Sequence, residues 1–282
     1  MPIPTISSGI LNIGGYRFSP LTNLQQRRQR LKDLCHELQL KGTILLSFEG
    51  INLFVSGNPD AITKLLDDLR LDTEVGEIDV RRSTSNYQPF NRMLVKIKRE
   101  IIAFGVEGID PAQARAKKIT PQQLQAWLDE DRPCTLMDVR NNYEVELGTF
   151  EQAEPIDIDH FRAFPDAATL LPDHYKSKPV VMFCTGGIRC EKAGPLLQRI
   201  GFREVYQLEG GILEYFKQCG SRHYQGECFV FDKRVALDAD LQETKTVQCY
   251  ICQHLLSAEE QQLPEYVLGQ SCPACHQNQH QP

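Results

Sequence analysis

The stretch VVMFCTGGIRCEKA, residues 180–193, joins a strand to a helix through a short loop. Val180 to Phe183 form a continuous apolar run, as expected of a strand buried on both faces. Cys184 sits where the run stops, Gly186 and Gly187 follow, and a helix begins soon after. Working outward, CTLMDV (134–139) and EVYQLEGGI (204–212) read as two more strands of the same kind. CEKAGPLLQRIGF (190–202) reads as a helix ended by Gly201, which Pro195 either distorts or truly starts. ITPQQLQAWLDED (119–131) carries a helix start signal: Thr120 as N-cap, Pro121 in the first helical position, Gln123 completing a capping box. Strands alternating with helices predict a parallel α/β sheet over residues 119–220.

The loop has a chemical logic. A thiolate, not a thiol, is the reactive form of cysteine. Glycines let a loop curl until successive N–H groups point at one centre, and a helix N-terminus adds partial positive charge. Thr185, Gly186, Gly187, Ile188 and Arg189 therefore form an anion cradle around Cys184, with Arg189 stabilising the thiolate or a bound anion. The bland alternative is a structural buried cysteine, against which the Gly-Gly turn and Arg189 both argue. Cys190 either resolves a persulfide or fills the helix core; the sequence leaves both open. Asp138 and Arg140, near Glu144, read as a structural ion pair rather than as catalytic groups.

The region before this sheet, about residues 8–105, runs β-α-β-β-α-β. ILNIGGYRF (10–18) is a strand. Leu24, Leu31, Leu34 and Leu38 then recur at helical spacing. TILLSFEG and INLFVSG are two strands turning at Glu49-Gly50, and NPDAITKLLDDLR is a second helix presenting Leu65, Leu66 and Leu69. EIDVRRS and RMLVKIK supply one or two further strands. This order is that of a ferredoxin-like α+β unit. The expected organisation is a ferredoxin-like domain (1–105), a polar linker (106–118), the α/β domain (119–220) and a loop-rich C-terminal segment (221–282) that ends in a frayed Gln/His-rich tail.

Length and composition agree. A chain of 282 residues, 41% apolar and 24% charged, suits two or three globular domains and excludes a disordered or fibrous chain. No run of ~18 apolar residues predicts a membrane span, and the first residues lack the pattern of a secretory signal. Ten cysteines in a chain without an export signal point to metal binding or thiol chemistry in a reducing cytoplasm. Cys249-x-x-Cys252 and Cys272-x-x-Cys275, 19 residues apart, have the spacing of a structural four-thiolate zinc site, with His254 and His276 close enough to replace one ligand. The net charge of −6 hides an asymmetry: residues 1–118 hold 17 Lys/Arg against 13 Asp/Glu, a balance of +4. Residues 81–99 hold Arg81, Arg82, Arg92, Lys96, Lys98 and Arg99, no acid, and Tyr87 and Phe90 between them. That composition suits phosphates and stacked bases, or, less specifically, a charged strand edge.

Asp138-Val139-Arg140, the Cys184–Arg189 loop and Leu208-Glu209-Gly210-Gly211-Ile212 resemble the rhodanese superfamily. There the loop cysteine carries a persulfide or attacks substrate, and a six-residue loop suits sulfur rather than phosphate. DVRNNYEVELGTF, IDIDHFRAFP, CTGGIRCEKA and GECFVFDKR narrow the resemblance to the bacterial rhodanese-like tRNA uridine hydroxylases, over nearly the whole chain. The resemblance implies oxygen-dependent formation of 5-hydroxyuridine at wobble position 34, with Cys184 essential, tRNA bound through its anticodon loop, and O2 as co-substrate; the electron donor stays unassigned. No obligate protein partner and no membrane association is expected. Two rivals stand: a sulfurtransferase carrying a persulfide on Cys184, and a non-catalytic zinc- and RNA-binding module.

Overall fold

The computed structural model describes residues 9–279. Residues 1–8, and the last three residues of the Gln/His-rich tail, lie outside the described residues. The first unit runs β1 (Ile10–Phe18), α1 (Leu24–Glu37), β2 (Lys41–Ser47), β3 (Gly50–Gly57), α2 (Pro59–Leu71), β4 (Val80–Ser85) and β5 (Met93–Ile97). Its sheet has the order β4-β1-β3-β2-β5, antiparallel except where β5 joins β2. The β2–β3 turn is built on Phe48 and Glu49, one residue earlier than the sequence suggests, because Gly50 already pairs with both Ser47 and Phe18. Alternation along the strands gives the sheet two faces. Ile13, Ile44, Leu53 and Val55 pack with Leu31, Leu65 and Leu69 of the helices. The other face carries Gly14, Tyr16, Thr43, Leu45, Asn52 and Phe54, which line a cleft instead.

The second unit has the order β6-β11-β10-β7-β9, all parallel. In chain order it is β6 (Lys117–Ile119), α3 (Pro121–Asp129), β7 (Thr135–Asp138), α4 (Asn142–Leu147), β8 (Gly148–Phe150), β9 (Ala153–Pro155), α5 (Phe164–Thr169), β10 (Val180–Phe183), α6 (Ile188–Arg199), β11 (Val205–Leu208) and α7 (Gly211–Cys219). β6 begins inside the stretch read as linker, and Ala116 before it is buried. Along β10, Val180 and Met182 enter the core under α5 and α6, while Val181 and Phe183 enter the core with α3 and α7, so the apolar run has no polar face to show. α3 has the full capping box: Thr120 accepts from the Gln123 N–H, and the Gln123 side chain accepts from the Thr120 N–H. α6 starts at Ile188 and passes through Pro195 to Arg199, so the proline neither starts nor ends it.

The C-terminal segment continues as β12 (Tyr224–Gly226), β13 (Cys228–Phe229), β14 (Ala236–Leu237), β15 (Val247–Gln248), β16 (Leu255–Leu256) and α8 (Pro273–Gln279). β12 pairs with β8, which keeps this segment against the α/β unit, and β13 pairs with β14 within the segment itself. No helix among the described residues is long and apolar enough to cross a membrane.

Candidate active site between the two domains

Cys184 lies at the carboxyl end of the central strand β10, where open α/β sheets place their ligands. The Gly187 N–H donates to its Sγ at 3.1 Å. Two helices fix the loop. α6 begins immediately after Gly187, whose φ of 96° favours glycine. At the start of α7, the N–H groups of Ile212 and Leu213 donate to the carbonyls of Cys184 and Thr185 at 3.0 and 3.1 Å. Gly211 makes that approach feasible: a Cβ there would lie 2.4 Å from the Cys184 carbonyl oxygen. The Leu-Glu-Gly-Gly-Ile stretch thus clamps the Cys184 loop from behind.

Burial alone would push the Cys184 thiol up. The Cys190 thiol, the Arg189 charge, and the N–H groups of Arg189 and Gly187 outweigh it and bring the pKa down to about 6. Cys190 moves the other way: burial and the neighbouring Cys184 sulfur hold it well above its ordinary value. The pair is therefore one thiolate supported by one thiol. Burial also raises Cys35 and Cys228, each to about 12.

Arg189 does not reach into the cleft as a free cation. Its two Nη atoms clamp the Glu144 carboxylate at 2.5 and 2.7 Å, with Glu144 fully buried. Thr185 Oγ1 donates to the same carboxylate at 3.3 Å. Asp138 and Arg140 form the structural ion pair expected of them, at 2.7 Å and wholly buried, and Arg140 also donates to the Gly148 carbonyl at 2.6 Å. Glu144 belongs to the Arg189 pair, which the sequence does not indicate: the partner lies 45 residues away.

The first unit completes the site. Tyr16 donates from its hydroxyl to Glu191 Oε1 at 3.1 Å and stands over Gly187, where a Cβ would come within 2.9 Å of that oxygen. Burial, then Glu191 and the two thiols, keep Tyr16 protonated far above its ordinary range. Buried Lys192 on α6 pairs with Glu49 and Glu100 at 2.9 and 2.8 Å. These contacts hold the two units around a cleft of about 840 Å³ with Cys184 in its wall.

The basic stretch splits. Lys98 and Arg99 line the cleft, joined by exposed Arg162 from the other unit, which the sequence reading missed because it stands alone in its segment. Arg81 also lines it, held by Asp79 at 2.6 Å and Glu214 at 3.2 Å. Exposed Arg82, Arg92 and Lys96 lie outside the wall. Phe54, Phe90, Phe161 and Phe231 add aromatic surface.

In the C-terminal segment, the sulfurs of Cys249, Cys252, Cys272 and Cys275 lie within 4.8 Å of one another. Cys252 and Cys272 approach to 3.5 Å, close to the ~3.8 Å between sulfurs of a tetrahedral site with ~2.3 Å metal–sulfur bonds. This group can hold a metal ion. Neither neighbouring histidine belongs to it; His254 faces Glu260 at 3.5 Å.

Residues 10–101 match the UPF0176 acylphosphatase-like domain, and residues 120–218 match the rhodanese-like domain. Curated relatives called tRNA uridine(34) hydroxylase match almost end to end. That of Cupriavidus necator is 45% identical over 94% of this chain and 96% of its own length. That of Burkholderia vietnamiensis is 45% identical over 95% and 98%, and that of Ralstonia nicotianae 43% over 96% and 98%. With a cysteine loop at the carboxyl end of a rhodanese-like sheet, a two-domain cleft and this likeness over the whole length, the chain belongs to the tRNA uridine(34) hydroxylase family.

Proposed function

We propose that this chain hydroxylates C5 of the wobble uridine of tRNA in the cytoplasm, with dioxygen as co-substrate and Cys184 as the residue that attacks the base. The observation that carries this reading is the setting of the thiolate: Cys184 faces a cleft of nucleotide size, walled by aromatic rings and edged by cations from two domains. A small sulfur acceptor needs no such surface. An unpaired anticodon base can be turned out of its loop into a pocket of this kind. Addition of the thiolate to C6 of uracil forms the S–C6 bond and moves the C5–C6 π pair onto C5 and O4. C5 becomes electron-rich and takes up one atom of dioxygen, while the other atom leaves as water with two electrons and two protons from a reduced donor. Loss of the C5 proton then restores the C5–C6 double bond and expels the Cys184 thiolate. Arg189, neutralised by Glu144, contributes its field and its backbone N–H rather than a direct side-chain contact.

Lys98, Arg99 and Arg162 are the phosphate contacts of this reading, and Arg82, Arg92 and Lys96 extend the basic surface beyond the mouth. Arg81 serves as wall, because its charge is already matched by two carboxylates. The test has two arms. Nucleosides from a strain lacking this protein should lose 5-hydroxyuridine and its derivatives by mass spectrometry; loss of a thiolated nucleoside instead would favour the persulfide carrier. Lys98→Glu with Arg162→Glu should weaken tRNA binding and lower the slope of log K against log salt by about one per lost phosphate contact. An unchanged slope would place the RNA elsewhere.

Zinc is the metal we assign to the four-cysteine group. Four thiolates around a tetrahedral ion leave no open position, so the site is structural, and metal binding supplies folding energy to a segment with only a small core of its own. Purified protein should hold about one zinc per chain. Cys252→Ser should release it and expose residues 247–279 to protease. Freshly purified, unchelated protein free of zinc would exclude the assignment.

A further inference from the structure

We infer that Phe231 is the stacking platform on which the substrate base lies beside Cys184. The inference rests on the tRNA-modifying reading of the cleft and adds the contact that holds the base. Phe231 is 47% exposed, and among the described residues it alone of the exposed large apolar side chains lies in the cleft wall with Cys184. Phe54 and Phe90 are half-buried and Phe161 is buried, so their faces are largely taken up by the protein.

The ring is backed rather than loose. Phe229 meets it edge-on at 5.1 Å, Phe54 lies at 6.1 Å, and the Arg189 guanidinium carbon lies 5.9 Å from its centroid. The residues that follow fasten its loop to the first unit. Asp232 accepts from Nε of Arg234 at 2.8 Å, and the pair is almost wholly buried. Arg234 also donates to Ser83 on β4 at 2.7 Å, and the Lys233 N–H donates to the Pro89 carbonyl at 3.2 Å. A fixed loop is thus spent on holding an aromatic ring half in water, which costs solvation energy until something covers it. A planar base fits that need, since every base offers a π-face to an aromatic side chain. The thiolate in the same wall requires the occupant to be an electrophilic ring, which uracil is at C6. The cations at the mouth fit the phosphates on either side of it.

The test separates this contact from the reading beneath it. Binding of two anticodon stem-loops, one with uridine at position 34 and one abasic there, is measured in a Cys184→Ser background, where no chemistry intervenes. With Phe231 present, the uridine loop should bind roughly ten-fold more tightly, the scale of one base–aromatic stack. Phe231→Leu keeps apolar bulk but loses the flat ring, so the ratio should fall towards one, and Phe231→Tyr should restore it. If the leucine variant does not fold, Phe231→Met makes the same comparison. A ratio that stays ten-fold in the leucine or methionine variant overturns the role of Phe231 and leaves the cleft reading standing. Equal binding of both loops when Phe231 is present overturns the cleft reading itself, and Phe231 with it.

Discussion

Cys184→Ser should leave the chain folded and bring 5-hydroxyuridine formation to background. The substitution is nearly isosteric, and the Gly187 N–H that now meets sulfur can meet a hydroxyl oxygen instead. What disappears is the anion. With a pKa of about 6, Cys184 is mostly thiolate at neutral pH, whereas an ordinary cysteine with pKa ~8.5 is only a few per cent ionised there. Alkylation of the parent protein should therefore rise with pH around a midpoint near 6 and plateau by neutrality. At pH 7 Cys35 and Cys228 should stay largely unmodified, because burial holds both thiols near 12. The thiol of Cys134 is raised as well, chiefly by burial, so it should react later than Cys184. Peptide mapping after a short exposure to iodoacetamide reads all of these together. Full wobble-uridine modification in cells carrying Cys184→Ser would remove the thiol from the mechanism.

What could be read in the sequence was local. The capping box at Thr120 and Gln123, the two-faced burial of β7 and β10, and the glycines after Cys184 all act within a few residues, so composition and spacing expose them. The four cysteines of the C-terminal segment follow the same logic, because each pair is a local turn. The element order of the first sheet and the three inner strands β11, β10 and β7 of the second were legible for that reason, whereas its edge strands β6 and β9, three residues each, are too short to show a pattern. Pro195 misleads a local reading: a proline removes one helical hydrogen bond, and α6, buried along most of its length, is held by packing that outweighs the loss. The contacts that complete the site are not local. Glu144 meets Arg189 across 45 residues and Tyr16 meets Glu191 across 175. Nothing about a lone Tyr in strand β1, or about Phe231 two residues after Phe229, marks them in one dimension. The basic stretch illustrates the limit most clearly. It is uniform in sequence, yet the segment leaving β5 brings Lys98 and Arg99 to the cleft, Lys96 within the strand stays outside the wall, and Arg81 is tied to acids of both units.

Glu144→Gln should be the most destabilising single change near the site, and it should move the thiol in a direction that a packing defect would not. Glu144 is wholly buried and accepts two bonds from Arg189, one from Thr185 and one from the Asn141 N–H. Its carboxyl is held below the ordinary range: burial alone would raise it, but the Arg189 charge and hydrogen bonds outweigh that. Glutamine keeps the shape, removes the charge, and turns a donor towards a guanidinium that only donates. Leaving one member of a buried pair uncompensated costs about 3–5 kcal/mol, visible as a lower melting temperature at pH 7. The stabilisation depends on ionised Glu144, whose folded pKa is depressed. It is complete above the unfolded value of ~4.3 and fades as pH falls through the lower folded one. The gap in melting temperature between parent and variant should therefore narrow in acid. The thiol gives the sharper readout. With Glu144 neutral, the full Arg189 charge acts on Cys184, so the alkylation midpoint should fall below that of the parent. Arg189→Ala removes the charge, and its midpoint should rise. Both variants disturb the same buried pair, and a purely structural role would loosen the loop in both and shift the two midpoints the same way. Opposite shifts assign Glu144 the task of holding Arg189 at the distance that sets the thiolate. Shifts of the same sign, or a Glu144→Gln protein that melts with the parent, would refute it.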